Sequence, residues 1–254
     1  MAMLEVKELC KSFGGLRAVN NVGFSLEQGM IKALIGPNGA GKTTLFNLIS
    51  GVIQADSGKV SFQQEEIQRL RPHQIASKGI ARTFQHIRLF PGMTALENIM
   101  VGRHIHSRSG FFSGMLSLPW TWKEEKKIRS KAMEILEFLG IGELAGTEAT
   151  SLAYGLQRTV ELGRALACEP RLLLLDEPAA GLNMRETADV AKLITQIRDM
   201  GTTVLIVEHD MSLVMNISDE VLVLSYGQKI ADDKPQAIQK NREVIRVYLG
   251  EDDA

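Results

Sequence analysis

A glycine-rich run that follows an apolar segment constrains the fold of this chain more than any other feature. Residues 36–43 read GPNGAGKT and match the consensus G-x-x-x-x-G-K-[ST], known as Walker A. The apolar run Ile31 to Ile35 predicts a buried strand before it, and TTLFNLIS predicts a helix after it, ending near Gly51. A strand, a tight glycine loop and a helix in this order predict a phosphate-binding unit.

Such a loop binds anions. Glycines let successive backbone N–H groups point at a β-phosphate, and the following helix adds the partial positive charge of its N-terminus. In this arrangement Lys42 would bridge the β- and γ-phosphates, and the Thr43 hydroxyl would bind Mg²⁺. The sequence therefore predicts an ATP and Mg²⁺ site rather than a flexible turn, with these residues on the phosphates: Gly36, Pro37, Asn38, Gly39, Ala40, Gly41, Lys42 and Thr43.

A second apolar run ends in two acidic residues. Leu172 to Leu175 predict a buried strand, and Asp176 and Glu177 follow it. Alone, two acids after leucines are usually a strand end that meets solvent, but downstream of a phosphate-binding loop they are the expected second half of a nucleotide site. We assign Asp176 to Mg²⁺ through its water shell, and Glu177 to polarising the attacking water.

Two further polar residues follow predicted strands. His209 follows TVLIVE, so it should lie at the carboxyl edge of the sheet, where ligands of open α/β folds bind. Gln85 follows IARTF and could join the Mg²⁺ shell or contact the attacking water. A lone histidine is more often structural, and an isolated glutamine is a polar loop residue, so both assignments depend on the other motifs.

Composition restricts the class of protein. The 29 Lys and Arg against 30 Asp and Glu leave a formal net charge of -1, which does not favour nucleic acid as a partner. Cys10 and Cys168 are too few for a disulfide framework or a zinc site, which favours a reducing cytoplasm. Because no stretch reaches the roughly 18 apolar residues of a membrane span, we expect the chain to be soluble by itself.

Patterning along the chain predicts an α/β fold with a P-loop (RecA-like) ATPase core. Short strands before Gly36 predict an antiparallel β subdomain. Helical spacing in the middle third, with a capping box at Thr94 and Glu97, predicts an inserted helical subdomain. Apolar strands alternate with helices in the last third, as in a parallel sheet covered on both faces. The predicted division is 1–84 with 162–254 for the core and 85–161 for the helical subdomain.

Together these segments resemble the nucleotide-binding subunits of ABC transporters. The resemblance rests on the following segments, in this order over nearly the whole chain: Gly36 to Thr44, Gln85, LAYG, RLLLLDEPAAGLN and VEHD. It implies that Thr44 joins the ATP-binding loop, that Gln85 is the Q-loop residue and that His209 is the switch histidine on the γ-phosphate. It also implies that Phe13, in KSFGG, stacks on adenine, with a buried strand-end aromatic as the alternative.

The signature loop departs from the LSGGQ pattern common in this family. It consists of Leu152, Ala153, Tyr154, Gly155 and Leu156. The serine hydroxyl that reaches ATP across a dimer is absent, and one lost hydrogen bond to a charged phosphate costs about 1.5–3 kcal/mol where nothing replaces it. Gly155 and the following helix N-terminus still offer N–H groups, which predicts a weakened contact in trans. Asn183 similarly replaces the D-loop aspartate of many relatives.

These departures, with FQHIRLF, DEPAAGLN and the ending VIRVYLGE, resemble the ATPases of branched-chain amino acid importers. Urea and amide importers and the lipopolysaccharide-export ATPase are similar, so they remain alternatives. A cassette that remodels DNA or ribosomes is less expected, because this chain has no long coiled-coil insertion and no second cassette.

The resemblance also implies partners and a location. It implies two multi-spanning permease subunits, a second ATP-binding subunit or a second copy of this chain, and indirect contact with a periplasmic or extracellular solute-binding protein. No nucleic acid is expected. The chain should lie at the cytoplasmic face of the inner (cell) membrane, held there by the permeases. The aromatic segment from Phe111 to Trp122 should either face a partner or pack on the helical insertion.

Overall fold

The structure, a computed structural model, describes residues 2–85, 87–103 and 119–249, without the side chains of 119–123 and 249. The side chains from Phe111 to Trp122, expected either to face a partner or to pack on the helical insertion, lie outside this description. The chain divides into two compact units, Met1–Arg82 with Arg171–Ala254, and Thr83–Pro170. The sequence placed a boundary after residue 161, which falls inside a helix, Tyr154–Leu166, that the second unit keeps whole.

The first unit contains the strands of both sheets. They are β1 (Ala2–Phe13), β2 (Leu16–Glu27), β3 (Ile31–Ile35), β4 (Ser57–Phe62), β5 (Glu65–Glu66), β6 (Ile80–Arg82), β7 (Leu172–Asp176), β8 (Thr203–Val207), β9 (Glu220–Ser225) and β10 (Gln228–Asp233).

Helices occur in both units. The first unit contains α1 (Lys42–Ile49), α2 (Pro72–Ser77), α6 (Met184–Asp199), α7 (Met211–Ile217), α8 (Pro235–Ile238) and α9 (Arg242–Leu249), and the second contains α3 (Ala95–Arg103), α4 (Pro119–Phe138) and α5 (Tyr154–Leu166).

The antiparallel sheet has the strand order β2-β1-β4-β5. Val6 of β1 pairs with Phe24 of β2 on one side and with Val60 of β4 on the other, and all three side chains are buried. Alternate residues of these strands thus supply one apolar face to the core. The predicted antiparallel β subdomain is confirmed.

The second sheet has the order β10-β9-β3-β8-β7-β6, in which β9 to β6 run parallel and β10 is an antiparallel edge strand. Every residue of β3, β7 and β8 is buried, as expected for strands covered on both faces. Val207 at the end of β8 pairs with Leu34 of β3 and with Asp176 of β7. The loops that leave these three strands therefore start side by side at one edge of the sheet, which confirms the α/β fold class.

The second unit is helical, and its predicted capping box is present. The Thr94 N–H donates to Glu97 Oε2 at 2.8 Å, and the Glu97 N–H donates to Thr94 Oγ1 at 3.2 Å. Helices α3 and α5 approach closely at Gly102. A Cβ on this residue would lie only 2.1 Å from the carbonyl oxygen of Arg164. Among the described helices, none is both long enough and apolar enough to cross a membrane.

Candidate nucleotide-binding site

The loop between β3 and α1 has a backbone conformation that only glycine tolerates well. Gly36, Gly39 and Gly41 have positive φ angles of 150°, 82° and 99°. A Cβ at Gly36 would lie 2.2 Å from the carbonyl oxygen of Leu224, and one at Gly41 would lie 2.3 Å from that of Ala18. The surrounding backbone thus leaves no room for a side chain at either glycine, and the loop can approach a phosphate closely.

Lys42 lies inside this loop. Its Nζ donates to the carbonyl oxygens of Gly36 at 2.6 Å and Pro37 at 3.0 Å, and only 9% of the residue is exposed. Burial lowers the pKa of the Lys42 ammonium, whereas the nearby carboxylates of Glu177 and Asp176 oppose that shift. The structure therefore brings the Walker A lysine close to Asp176, the last residue of β7, and to Glu177, which follows it.

Asp176 forms a buried ion pair that the sequence analysis missed. Arg82 Nη2 lies 2.8 Å from Asp176 Oδ2, and both side chains are more than nine-tenths buried. The other guanidinium nitrogen, Nη1, donates to Asn47 Oδ1 and Ser50 Oγ, each at 2.8 Å. Arg82 therefore fixes the Asp176 carboxylate relative to the end of α1. The available signal was a basic residue in the otherwise apolar segment IAR.

Glu177 has a strained backbone. Its φ is +49°, in the left-handed region that residues other than glycine rarely adopt. The Glu177 N–H donates to the carbonyl oxygen of Val207 at 2.9 Å, which ties this residue to the end of β8. Strain of this kind persists only where surrounding contacts fix the conformation, and it is often found at functional sites.

His209 and Glu208 follow β8. The His209 side chain is 66% exposed, and its Nδ1 lies 3.9 Å from Glu208 Oε2. Glu208 is buried and accepts the N–H groups of Ala179 at 2.8 Å and His209 at 3.1 Å. Burial raises the pKa of Glu208, and these backbone hydrogen bonds oppose the rise. In the sequence, Glu208 is recognisable only as the end of the predicted strand TVLIVE.

Two aromatic residues, Phe13 and Tyr248, belong to the same unit as the glycine loop. Phe13 at the end of β1 is 49% exposed, unlike a buried strand-end aromatic, and Lys11 Nζ lies 5.5 Å from its ring centroid. An exposed ring can stack on a base, which remains our prediction for Phe13. Tyr248 of α9 accepts a hydrogen bond from the N–H of Gly36, which opposes the rise in the Tyr248 pKa that burial causes.

The signature loop forms the start of α5 in the second unit. Ala153 is the N-cap residue and makes no side-chain capping hydrogen bond. The backbone N–H groups of Tyr154, Gly155 and Leu156 occupy the first turn of α5, where intrahelical partners are lacking. Leu152 is buried, and its carbonyl accepts Gln157 Nε2 at 2.8 Å. We therefore still predict that the loop binds an anion through these backbone N–H groups.

Charged residues of α5 hold the backbone of the Q-loop, the segment around Gln85. Arg158 Nη2 donates to the Gln85 carbonyl oxygen and to the Tyr154 hydroxyl, both at 3.0 Å. Glu161 is buried and accepts the N–H of Arg88 at 3.4 Å, while Arg164 donates to the carbonyl oxygen of Arg88. Burial raises the pKa of Glu161, and chiefly the charge of Arg164 opposes it. Within the second unit, these contacts thus link the backbone of Gln85 to α5, the helix that begins in the signature loop and is called the signature helix below.

Asn183, the D-loop departure, caps α6. Its Oδ1 accepts the N–H groups of Arg185 and Glu186, each at 3.0 Å, and Glu186 Oε2 accepts the Asn183 N–H at 2.9 Å. Asparagine and aspartate are about equally good N-caps, so this local structure tolerates the replacement.

The donor set fits Mg²⁺. This ion prefers hard oxygen ligands and usually takes one or two from the protein, with phosphate and water supplying the rest. Thr43 supplies a hydroxyl from the first turn of α1, and Asp176 supplies a carboxylate from the end of β7. In the described part of the chain, no cluster of three or more His, Cys, Asp or Glu residues could hold a metal.

Two family models and several curated proteins match this chain. The family model for ABC transporters matches residues 19–180, and the model described as "Branched-chain amino acid ATP-binding cassette transporter" matches residues 228–254. The chain is 46% identical over 250 residues to the high-affinity branched-chain amino acid transport ATP-binding protein BraF of Pseudomonas aeruginosa, and 44% identical to LivG of Escherichia coli K12, with 98% of each chain covered in both cases.

A solved structure is also similar throughout. The crystal structure of a nucleotide-free ATP-binding cassette from an ABC transporter matches with a TM-score of 0.86 and 34% identity, covering 99% of this chain and all of the other. The family's members are ATPases that act in transport, and both the site and the fold described above are consistent with that activity. This chain therefore belongs to the family of ATP-binding proteins of ABC transporters.

Proposed function

We propose that this chain is the ATP-binding and ATP-hydrolysing subunit that energises import of branched-chain amino acids across the cytoplasmic membrane. The proximity of Lys42 to the carboxylates of Asp176 and Glu177 carries the catalytic part of the proposal. The substrate class is supported by relatives named as branched-chain amino acid transport proteins over 98% of this chain, and by the match of residues 228–254.

In the proposed reaction, ATP binds over the loop 36–41 with its adenine on the ring of Phe13. Lys42 exchanges its two carbonyl acceptors for oxygens of the β- and γ-phosphates. Glu177 accepts a hydrogen bond from the attacking water and polarises it, while His209 donates to the γ-phosphate. Thr43 and Asp176, with Gln85 as a further ligand, would hold Mg²⁺, which would supply positive charge to neutralise the phosphates.

Transport requires that ATP binding and hydrolysis drive a conformational change. We propose that this change takes place in a head-to-tail pair of cassettes. The signature loop of one cassette, Leu152 to Leu156, contacts the γ-phosphate bound to the other. ATP binding closes the pair and hydrolysis opens it, because the γ-phosphate is held by both chains. The second cassette is a similar ATP-binding subunit or a second copy of this chain, and two multi-spanning permeases transmit the movement.

Affinity purification of the tagged chain from gently solubilised membranes of its native cell tests this proposal. We expect two multi-spanning permeases and a second ATP-binding subunit to co-purify, and the reconstituted complex to take up leucine, isoleucine or valine in the presence of ATP. Recovery with permeases that transport urea, an amide or lipopolysaccharide would contradict the substrate. Recovery with nucleic acid and no membrane protein would contradict the transport function itself.

A further inference from the structure

The side chain of Glu208 is completely buried between the loop that carries Glu177 and the loop that carries His209. Because its side chain has no exposed surface, it is in a poor position to contact a nucleotide directly. Buried carboxylates are rare unless they are paired or hydrogen-bonded. Glu208 meets this requirement through backbone N–H groups, and the identity of those groups indicates its role.

The two carboxylate oxygens of Glu208 serve different loops. Oε1 accepts the N–H of Ala179 at 2.8 Å, two residues after Glu177. Oε2 accepts the N–H of His209 at 3.1 Å and that of Asp210 at 3.5 Å. One side chain therefore joins the loop after β7 to the loop after β8. Since β8 lies next to β7 in the sheet, this connection is short.

This connection acts on a strained residue. Glu177 holds its left-handed φ of +49° while its own N–H is fixed by Val207. Such a conformation persists only where surrounding contacts over-determine it. Val207 supplies one at Glu177 itself, and Glu208 supplies the next at Ala179.

We infer that Glu208 is a positioning residue for ATP hydrolysis, which holds Glu177 and His209 in register through the backbone of their loops. The inference rests on the proposed function, because it concerns the same site. A positioning role differs from a purely structural role in its effect on the kinetics of ATP hydrolysis. Loss of Glu208 should lower kcat, whereas the Michaelis constant for ATP should change little, because the Walker A loop makes none of these contacts.

The test compares Glu208→Ala and Glu208→Gln with the wild type in the full transporter complex purified by its tag. Alanine removes both acceptors, and glutamine keeps the shape and one oxygen but turns an N–H₂ group toward a backbone N–H. We expect kcat to fall at least about tenfold in Glu208→Ala, with a smaller fall in Glu208→Gln, and the Michaelis constant for ATP to stay within about twofold. The Ala179 and His209 amides should exchange faster with deuterated solvent.

Asp219→Asn is the matched control. The Asp219 carboxylate likewise accepts a backbone N–H, that of Ile31 at 2.8 Å, but at the start of β3 and thus at the opposite edge of the sheet. Its kcat should remain that of the wild type. The inference is overturned if Glu208→Ala, folded as judged by thermal unfolding, keeps the wild-type kcat or wild-type exchange at Ala179 and His209. A wild-type complex that does not hydrolyse ATP would contradict the proposed function instead, and the exchange measurement would still decide the role of Glu208.

Discussion

Arg82 and Asp176 form a buried ion pair, with 2.8 Å between Nη2 and Oδ2, at the end of the strand that leads to the catalytic loop. The two residues lie 94 positions apart in sequence, and Arg82 also donates to Asn47 of α1 and to Ser50, the C-cap residue of α1. The Asp176 carboxylate, which we propose binds Mg²⁺, and α1 are therefore fixed relative to each other by Arg82.

Replacing Arg82 by methionine should destabilise the protein. The change leaves the buried Asp176 charge without its guanidinium partner, and removal of one partner from a buried pair typically costs about 3–5 kcal/mol. We expect a clearly lower midpoint of thermal unfolding by circular dichroism. Lys59→Met is the control, because its pair with Glu66 is exposed and should contribute little. Equal midpoints for the two variants would show that Asp176 does not depend on Arg82.

Replacing Glu177 by glutamine should separate binding from turnover. Glutamine keeps the size of the side chain but is a much weaker base, and general base catalysis contributes about 10²- to 10⁴-fold. We therefore expect kcat to fall by at least about a hundredfold while ATP binding persists and the closed pair of cassettes accumulates. Release of phosphate and gel filtration with ATP measure the two effects. Near-normal hydrolysis would remove Glu177 from the role of base.

The Lys42→Ala variant should fail at an earlier step. The variant has no ammonium group to contact the β- and γ-phosphates. One hydrogen bond between charged groups is worth about 1.5–3 kcal/mol, so ATP should bind roughly ten- to a hundredfold more weakly. Titration with a fluorescent ATP analogue measures this loss directly. Affinity equal to that of Glu177→Gln would contradict the assignment of Lys42 to the phosphates.

Much of the fold was predictable because the decisive signals are local. Each residue of β3, β7 and β8 is buried, and apart from Lys32, Asp176 and Thr203 these strands are apolar, so they could be recognised as buried strands with the motifs at their ends. The capping box at Thr94 and Glu97 was equally local and is present.

Side-chain partners across the sheet were not predictable in the same way. Glu208 and Ala179 are 29 residues apart, and their contact depends on β8 lying beside β7. Sequence spacing does not give that strand order. The same holds for Arg158, whose contact with the Gln85 carbonyl spans 73 residues. Long-range partners of buried charges therefore had to come from the three-dimensional structure.

Asp210 should make stability depend on acid pH. Asp210 is the N-cap of α7, and its Oδ1 accepts hydrogen bonds from the Ser212 N–H at 2.9 Å and from the Ser212 hydroxyl at 2.8 Å. The bond from the hydroxyl is the main cause of the lowered pKa of Asp210. A lowered pKa adds stability above the unfolded value of about 3.9, and that contribution is lost as pH falls through the folded pKa. Because Asp210 is only partly buried and Ser212, its main partner, carries no charge, we expect only a small effect.

Asp210→Asn isolates this effect, because asparagine caps a helix about as well but does not ionise in this range. The difference in unfolding midpoint between wild type and Asp210→Asn should be constant above about pH 5 and shrink below about pH 4. A difference that does not change with pH would exclude Asp210 as the source. Asp210→Ala should lose about 1 kcal/mol of cap stability at neutral pH.

Arg158 should control how firmly the Q-loop is held to the signature helix. Its guanidinium donates to the Gln85 carbonyl oxygen and to the Tyr154 hydroxyl, each at 3.0 Å, and the residue is 6% exposed. Arg158→Met removes both bonds, so amide exchange around residues 84–90 should accelerate by about tenfold or more. Tyr154→Phe is the matched control, because it removes only the phenol oxygen and leaves the bond to Gln85. Equal exchange in the two variants would mean that the signature tyrosine, and not the bond to Gln85, sets the order of the Q-loop.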